Sequence, residues 1–203
     1  MGYIETLNRE IFLKINAGSD TPHWMIDTAI VIAEGLIYLI PVLLIVQWLW
    51  GDERRRNLAL KTCMVTLFAL GLNHTIGLVW PHPRPFMLGL GQLWLPHAAD
   101  PSFPSDHATV FTCACISLLF GGEVGLVGLA VVALVIGVCV AWSRIYLGLH
   151  FPLDMLGAVV VAAVSYAVIA PLWRKVGSAM TAFAQQLYRS VMTHPIARGW
   201  VQP

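Results

Sequence analysis

Arg84, the run Ser105-Asp106-His107, the pair Ser143-Arg144, and His150 with Asp154 are the residues of this chain whose types and spacing could do chemistry. Each guanidinium presents a planar fork that grips two phosphate oxygens at once. Pro104 and Ser105 stand where a helix should start, and Ser105 is a natural N-cap. The free N–H groups and the positive dipole end of such a start attract an anion. Asp154 follows His150 by four residues, near the first turn after Pro152. A carboxylate so placed bonds one imidazole nitrogen, fixes the tautomer and leaves the other nitrogen nucleophilic. His107 then remains as a general acid for a leaving oxygen. Asp106 is read mainly as part of the helix start, because its charge opposes that of a phosphate unless it orients a neighbour. Together these groups suit attack on a phosphoryl centre.

The elements that must position them are membrane helices. Of 203 residues, 58% are hydrophobic and only 11% charged, where a soluble domain carries about 25% charged residues. Five apolar stretches, at about 24–50, 57–80, 105–121, 123–143 and 152–173, approach the roughly 20 residues needed to cross a bilayer. The expected fold class is therefore all-α: a polytopic membrane bundle of about five transmembrane helices in a single domain spanning residues 1–203. The segment 3–16 is too polar for a signal-peptide core. Its apolar Ile4, Leu7, Ile11, Phe12 and Ile15 recur at helical spacing, opposite Glu5, Asn8, Arg9 and Glu10, which predicts an amphipathic interfacial helix. A second amphipathic segment is expected at 178–192. The four cysteines all fall in apolar stretches and are read as buried free thiols. A net charge of +1 carries no footprint of nucleic acid.

With five spans, Arg84, Ser105, His107, Arg144, His150 and Asp154 all fall at helix ends on one side. That side also carries the Pro-, Gly- and His-rich loop 81–104, and long ordered loops tend to carry function. Short turns are expected at 51–56 and 121–122. Lys and Arg concentrate at the other end, in Arg54, Arg55, Arg56, Lys61, Arg174, Lys175, Arg189 and Arg198. The positive-inside rule puts that end in the cytoplasm and the candidate site outside. Polar residues at membrane depth are functional candidates. Glu34 in the first span is assigned either to the inner edge of the site or to an interhelical pair. Asn73 and Gly77 share one helical face, and His97 and Asp100 are placed at the entrance.

Arg84-Pro85, then PSDH at 104–107, then SRIYLGLHFPLD at 143–154 resemble the type 2 phosphatidic acid phosphatase superfamily. Its motifs read Lys-x6-Arg-Pro, Pro-Ser-Gly-His and Ser-Arg-x5-His-x3-Asp. The third is matched in full by Ser143, Arg144, His150 and Asp154; the second has Asp106 for Gly; the first has Gly77 at the Lys position, where Asn73 is a candidate substitute. The resemblance covers about residues 57–173. The string LPHAADPSFPSDH, preceded by HPRPF, is similar to the bacitracin-resistance branch, whose members are undecaprenyl-diphosphate phosphatases. This resemblance implies that His150 attacks phosphorus, Asp154 orients it, and His107 protonates the leaving lipid phosphate and then activates water. It implies that Arg84, Arg144, Ser105 and Ser143 hold the phosphoryl oxygens, and that no metal or other cofactor is needed; Asp106 and Glu34 are counted with these substrate-binding residues from their own positions in the chain. The partners implied are a lipid-linked diphosphate and the bilayer, in a bacterial inner membrane with the site facing the periplasm. Nothing in the sequence sets the oligomeric state.

Three rival readings differ in what they expect. Another lipid phosphate, such as phosphatidylglycerophosphate, phosphatidate or lipid A, would use the same generic pocket. A metal-dependent hydrolase would use Asp106, His107, His150 and Asp154 as ligands. A lipid-phosphate flippase would show paired repeats or broken helices, and the sequence has no evident repeat.

Overall fold

Chain segments in lipid must satisfy their own backbone groups, and helices do so. The computed structural model describes residues 2–121 and 124–203, and among these the regular structure is entirely helical. Helix α1 (Tyr3–Ile15) is followed by α2 (His23–Trp50), α3 (Glu53–Val79), α4 (Asp106–Leu119), α5 (Val124–Tyr146), α6 (Pro152–Val191) and α7 (Thr193–Ala197). The chain is thus a multi-pass membrane protein, with α2, α3, α5 and α6 each long and apolar enough to span.

Helix α4 is the exception to the expected five. Its 14 residues rise only about 21 Å, short of the roughly 30 Å hydrocarbon core. It can be short because it stands in the middle, packed against α3, α5 and α6 and touching α2. Val65 and Ala69 of α3, Cys113 of α4, and Val161 and Ala162 of α6 form one buried cluster. Ile40 of α2, Phe111 and Ala114 of α4, and Val140 of α5 form another.

Other boundaries also shifted. Helix α2 is not uniform: it widens into a π turn over Val31–Gly35 and tightens into a 3₁₀ turn over Leu36–Tyr38. The separate amphipathic segment expected at 178–192 is instead the continuation of α6, which runs unbroken through Pro171 for 40 residues. Tertiary bonds carry it onward, because Asn57 of α3 accepts from Trp173 Nε1 and donates to Thr181 Oγ1. The turn expected at 121–122 and the helix start expected at 123 fall on Gly122 and Glu123, which lie outside the described residues.

The ends that carry the candidate site are built by local rules. Gly148 has φ +85° and follows α5 as a left-handed cap. Gly148 N–H donates to Ile145 O and Leu149 N–H to Arg144 O, the paired bonds of a Schellman closure. A Cβ on Gly148 would come within 2.1 Å of Gln92 O, so this tight reversal needs glycine. Helix α6 then opens with Pro152 in its first turn, and Asp154 accepts from the N–H of the N-cap, Phe151, at 2.8 Å.

Helix α1 lies against α5 and α6. Asn8, assigned to the polar face from sequence, is buried instead, and its Oδ1 accepts from Leu153 N–H at 3.0 Å. It satisfies one of the orphan donors at the start of α6. Asn8→Ala is expected to cost about 1 kcal/mol, read as a lower unfolding midpoint of the purified protein in detergent.

Candidate functional site

Two chain reversals meet at one end of the bundle. The loop 81–105 descends between α3 and α4, and the turn 147–151 joins α5 to α6; Ser105 N–H donates to Asp154 O and so ties them together. Between them lies a cavity of about 140 Å³ lined by Arg84, Asp106, His107, Arg144 and His150, with His97 and Asp100 at its loop side. Seven of the nine residues singled out for the site, counting Ser105 and Asp154, are thereby placed in or against one small space.

His150 is nearly fully buried. Its Nδ1 lies 3.2 Å from Asp154 Oδ2 and its Nε2 lies 3.1 Å from Arg84 Nη1. A guanidinium has no acceptor, so Nε2 must carry the lone pair and Nδ1 the hydrogen, donated to Asp154. Arg84 Nη1 also donates to Leu149 O at 3.0 Å, pinning the turn that carries the imidazole. Burial pushes the His150 pKa below the ordinary imidazole value, outweighing Asp154, which pulls it upward. At neutral pH the ring is uncharged and its Nε2 faces the cavity.

Asp154 Oδ2 also accepts from Ser102 Oγ. Ser102 is fully buried and was missed from the sequence. It lies within a loop string, outside the motif residues, and no spacing rule connects it to a residue 52 positions later.

The cations differ in how they are held. Arg84 is fully engaged: besides His150 and Leu149, its Nε donates to Asp100 Oδ1 at 2.8 Å. Arg144 Nη1 donates to Glu34 Oε1 at 2.8 Å, while its buried Nε has no partner. Glu34 sits in the π turn of α2, a distortion often found at functional sites. Of its two assigned roles the geometry shows the interhelical pair; Glu34 is absent from the residues lining the cavity.

Three further assignments read differently in space. Ser105 precedes α4, yet its side chain makes no capping bond; its Oγ is buried and without a hydrogen-bond partner, between cavity-lining Pro104 and Asp106. Ser143 donates its hydroxyl back to Val140 O at 2.8 Å and does not line the cavity. Asp106 does more than open a helix: it lines the cavity and accepts from Asn73 Nδ2 at 2.8 Å. Asn73 also donates to Thr109 and, with Gly77, lines a neighbouring space of about 240 Å³ rather than the cavity at His150. Among the described residues, no group of three or more His, Cys, Asp or Glu side chains is arranged to hold a metal ion.

A neutral imidazole aimed into a basic cavity at the end of a multi-span helical bundle defines a membrane protein built for phosphoryl transfer. The chain belongs to the PAP2 superfamily, whose model matches residues 58–178. It is 40% identical over 204 residues to YbjG of Escherichia coli (strain K12), covering 98% of this chain and 99% of that one. It is 34% identical over 158 residues to the undecaprenyl-diphosphatase BcrC of Bacillus subtilis (strain 168), covering 78% and 80%. The crystal structure of a transmembrane PAP2-type phosphatidylglycerolphosphate phosphatase from Bacillus subtilis shares the fold, with a TM-score of 0.64 at 20% identity over 87% of this chain and 89% of that one. The protein is a membrane phosphatase.

The direction of the His150 shift sets a pH prediction. Lowering pH protonates Nε2 and removes the nucleophile, so kcat/KM falls on the acid side of the ordinary imidazole value. Asp154→Asn removes the group that raises the His150 pKa, so that acid limb should move to still lower pH. The same change should reduce the maximal rate by roughly 10³–10⁴ through loss of tautomer control. A pH–rate profile of the variant checks both, and an acid limb that moves upward contradicts the assignment.

Proposed function

We propose that this protein hydrolyses undecaprenyl diphosphate to undecaprenyl phosphate and inorganic phosphate through a phosphohistidine on His150. One observation carries the reading: His150 is held by Asp154 in the tautomer that aims Nε2 at a cavity shared with Arg84, Arg144 and His107. Nε2 forms a bond to the terminal phosphorus as the bridging P–O bond breaks, and His107 gives its proton to the departing lipid phosphate. The negative charge of the diphosphate favours the protonated form of His107 once the substrate is bound. His107 then takes a proton from water, which attacks phosphorus, breaks the P–N bond and releases phosphate.

Arg84 and Arg144 stabilise the charge that builds on the equatorial oxygens. Arg144 Nε and Ser105 Oγ, both buried without partners, are ready donors for those oxygens. Arg84 must exchange part of its bonding to Asp100 and His150 for the substrate. Ser102 and Glu34 act as positioning residues, the first on Asp154 and the second on Arg144. Ser143 holds the end of α5 through its backbone bond.

The choice of lipid follows the relatives: BcrC is an undecaprenyl-diphosphatase and aligns over most of both chains. The location proposed is the bacterial inner membrane with the site facing the periplasm. The basic residues Arg54, Arg55, Arg56, Lys61, Arg174 and Lys175 lie at the opposite end of the bundle, which suits the cytoplasm. Such an activity recycles the carrier lipid for cell-wall polymers and opposes bacitracin.

The test is phosphate release from a panel of undecaprenyl diphosphate, phosphatidylglycerophosphate and phosphatidate by the purified protein in the presence of a chelator. Undecaprenyl diphosphate should be turned over fastest, and preference for a glycerolipid would overturn the substrate assignment. His150→Ala should lose activity by about 10⁴ or more and yield no acid-labile phosphoenzyme on rapid quench. Retention of the parental rate would refute the nucleophile. Asp100→Ala frees Arg84 Nε, so inhibition by inorganic phosphate should tighten about fivefold, on the scale of one charge-assisted hydrogen bond; an unchanged inhibition constant would show that Asp100 does not compete for Arg84.

A further inference from the structure

Below the candidate site, α4 packs against both α5 and α6, but the latter two have no substantial packing with each other among the described residues. They part to leave a furrow of about 320 Å³, floored by α4 and open on its outer side. Ala108, Phe111 and Cys115 face it from α4, and Gly137, Val138 and Ala141 from α5. Met155 and Val159 complete the α6 wall. Gly137 lets α5 press onto the floor, since a Cβ there would come within 2.8 Å of Phe111 Cβ.

Helical periodicity connects this furrow to the chemistry. His107 stands one turn above Phe111 on the same stripe of α4, and Arg144 stands one turn above Ala141 and two above Gly137 on α5. Asp154 directly precedes Met155 at the top of the α6 wall. The two helices whose apolar stripes line the furrow therefore carry, at its upper rim, a general acid and a phosphate-binding cation.

We infer that this furrow between α5 and α6 holds the polyprenyl chain of the substrate next to its diphosphate. The inference rests on the lipid-linked diphosphate reading and adds where the chain lies. From Ala108 to Ile116 the α4 stripe extends about 12 Å, so the furrow takes only the isoprene units nearest the phosphate and leaves the rest among the bilayer lipids. The small side chains at Ala108, Gly137 and Ala141 set its depth, and the chain passes over the rim between His107 and Arg144 to present its terminal phosphorus to His150.

Two substitutions on opposite walls test it. Val138→Trp and Val159→Trp replace side chains that are 60% and 48% exposed, so each fills the furrow without disturbing the core. Val132→Trp, at a 53% exposed position of α5 that does not line the furrow, is the control. Both wall variants should raise KM for undecaprenyl diphosphate about tenfold, the scale of a blocked apolar contact. The inhibition constant for inorganic phosphate, which has no chain, should stay at the parental value, as should both constants in Val132→Trp. Parental KM in either wall variant that melts like the parent would overturn the inference and leave the furrow to bulk bilayer lipid. So would a phosphate constant that moves in step with KM. Failure of the parental protein to turn over undecaprenyl diphosphate would be a separate result, against the substrate reading.

Discussion

A single carboxylate oxygen holds the working end of this molecule together. Asp154 Oδ2 receives the His150 imidazole, the N–H of Phe151 and the Ser102 hydroxyl. These belong to the turn after α5, the start of α6 and the long loop before α4. A buried carboxylate is costly unless hydrogen bonds replace its hydration, so its partners must all arrive for the end of the bundle to close. The bonds to Oδ2 also fix the imidazole tautomer. Removing a partner therefore acts on both folding and reactivity, and the fold gives catalysis its preorganised nucleophile.

Around that point, charge is distributed so that each cation is held without being neutralised outright. Arg84 spreads its donors over a carboxylate, two backbone carbonyls and an imidazole. Arg144 is held by Glu34 through one nitrogen and keeps another unpartnered. Glu34 comes from the π turn of α2, and a regular helix there would alter the direction of that side chain. The distortion, the ion pair and the free donor form one device, which sets an arginine within reach of an anion while keeping it from the lipid.

The bundle architecture explains why the shortest helix matters most. Helix α4 is enclosed by its neighbours, so it need not match the bilayer thickness. Its N-terminal end therefore sits below the loop 81–105, carrying His107 inward where both the loop and the α5–α6 turn can reach it. Buried small residues along α4, α5 and α6 (Ala114, Ala130, Ala133 and Ala162 among them) allow this close packing in a setting where lipid offers no hydrophobic drive between helices.

Much of this was legible in the sequence because it depends on local chemistry. Apolar length dictates membrane helices, and the spacing of Arg144, His150 and Asp154 across a glycine turn brings those three together. The basic end and the polar end separate in the same way. What the sequence left open are contacts between residues distant in the chain. Ser102 on Asp154, Asn8 on the start of α6 and Glu34 on Arg144 span 52, 145 and 110 positions. The same limit applies to hydroxyl direction: Ser105 and Ser143 have equal claims as phosphate donors by type, but one is buried without a partner and the other bonds its own helix. Local propensity and period say which residues share a face of one helix. Which of those residues meet is decided by how the helices pack, because a hydrogen bond is won or lost within a few tenths of an ångström, and only the assembled bundle fixes positions that closely.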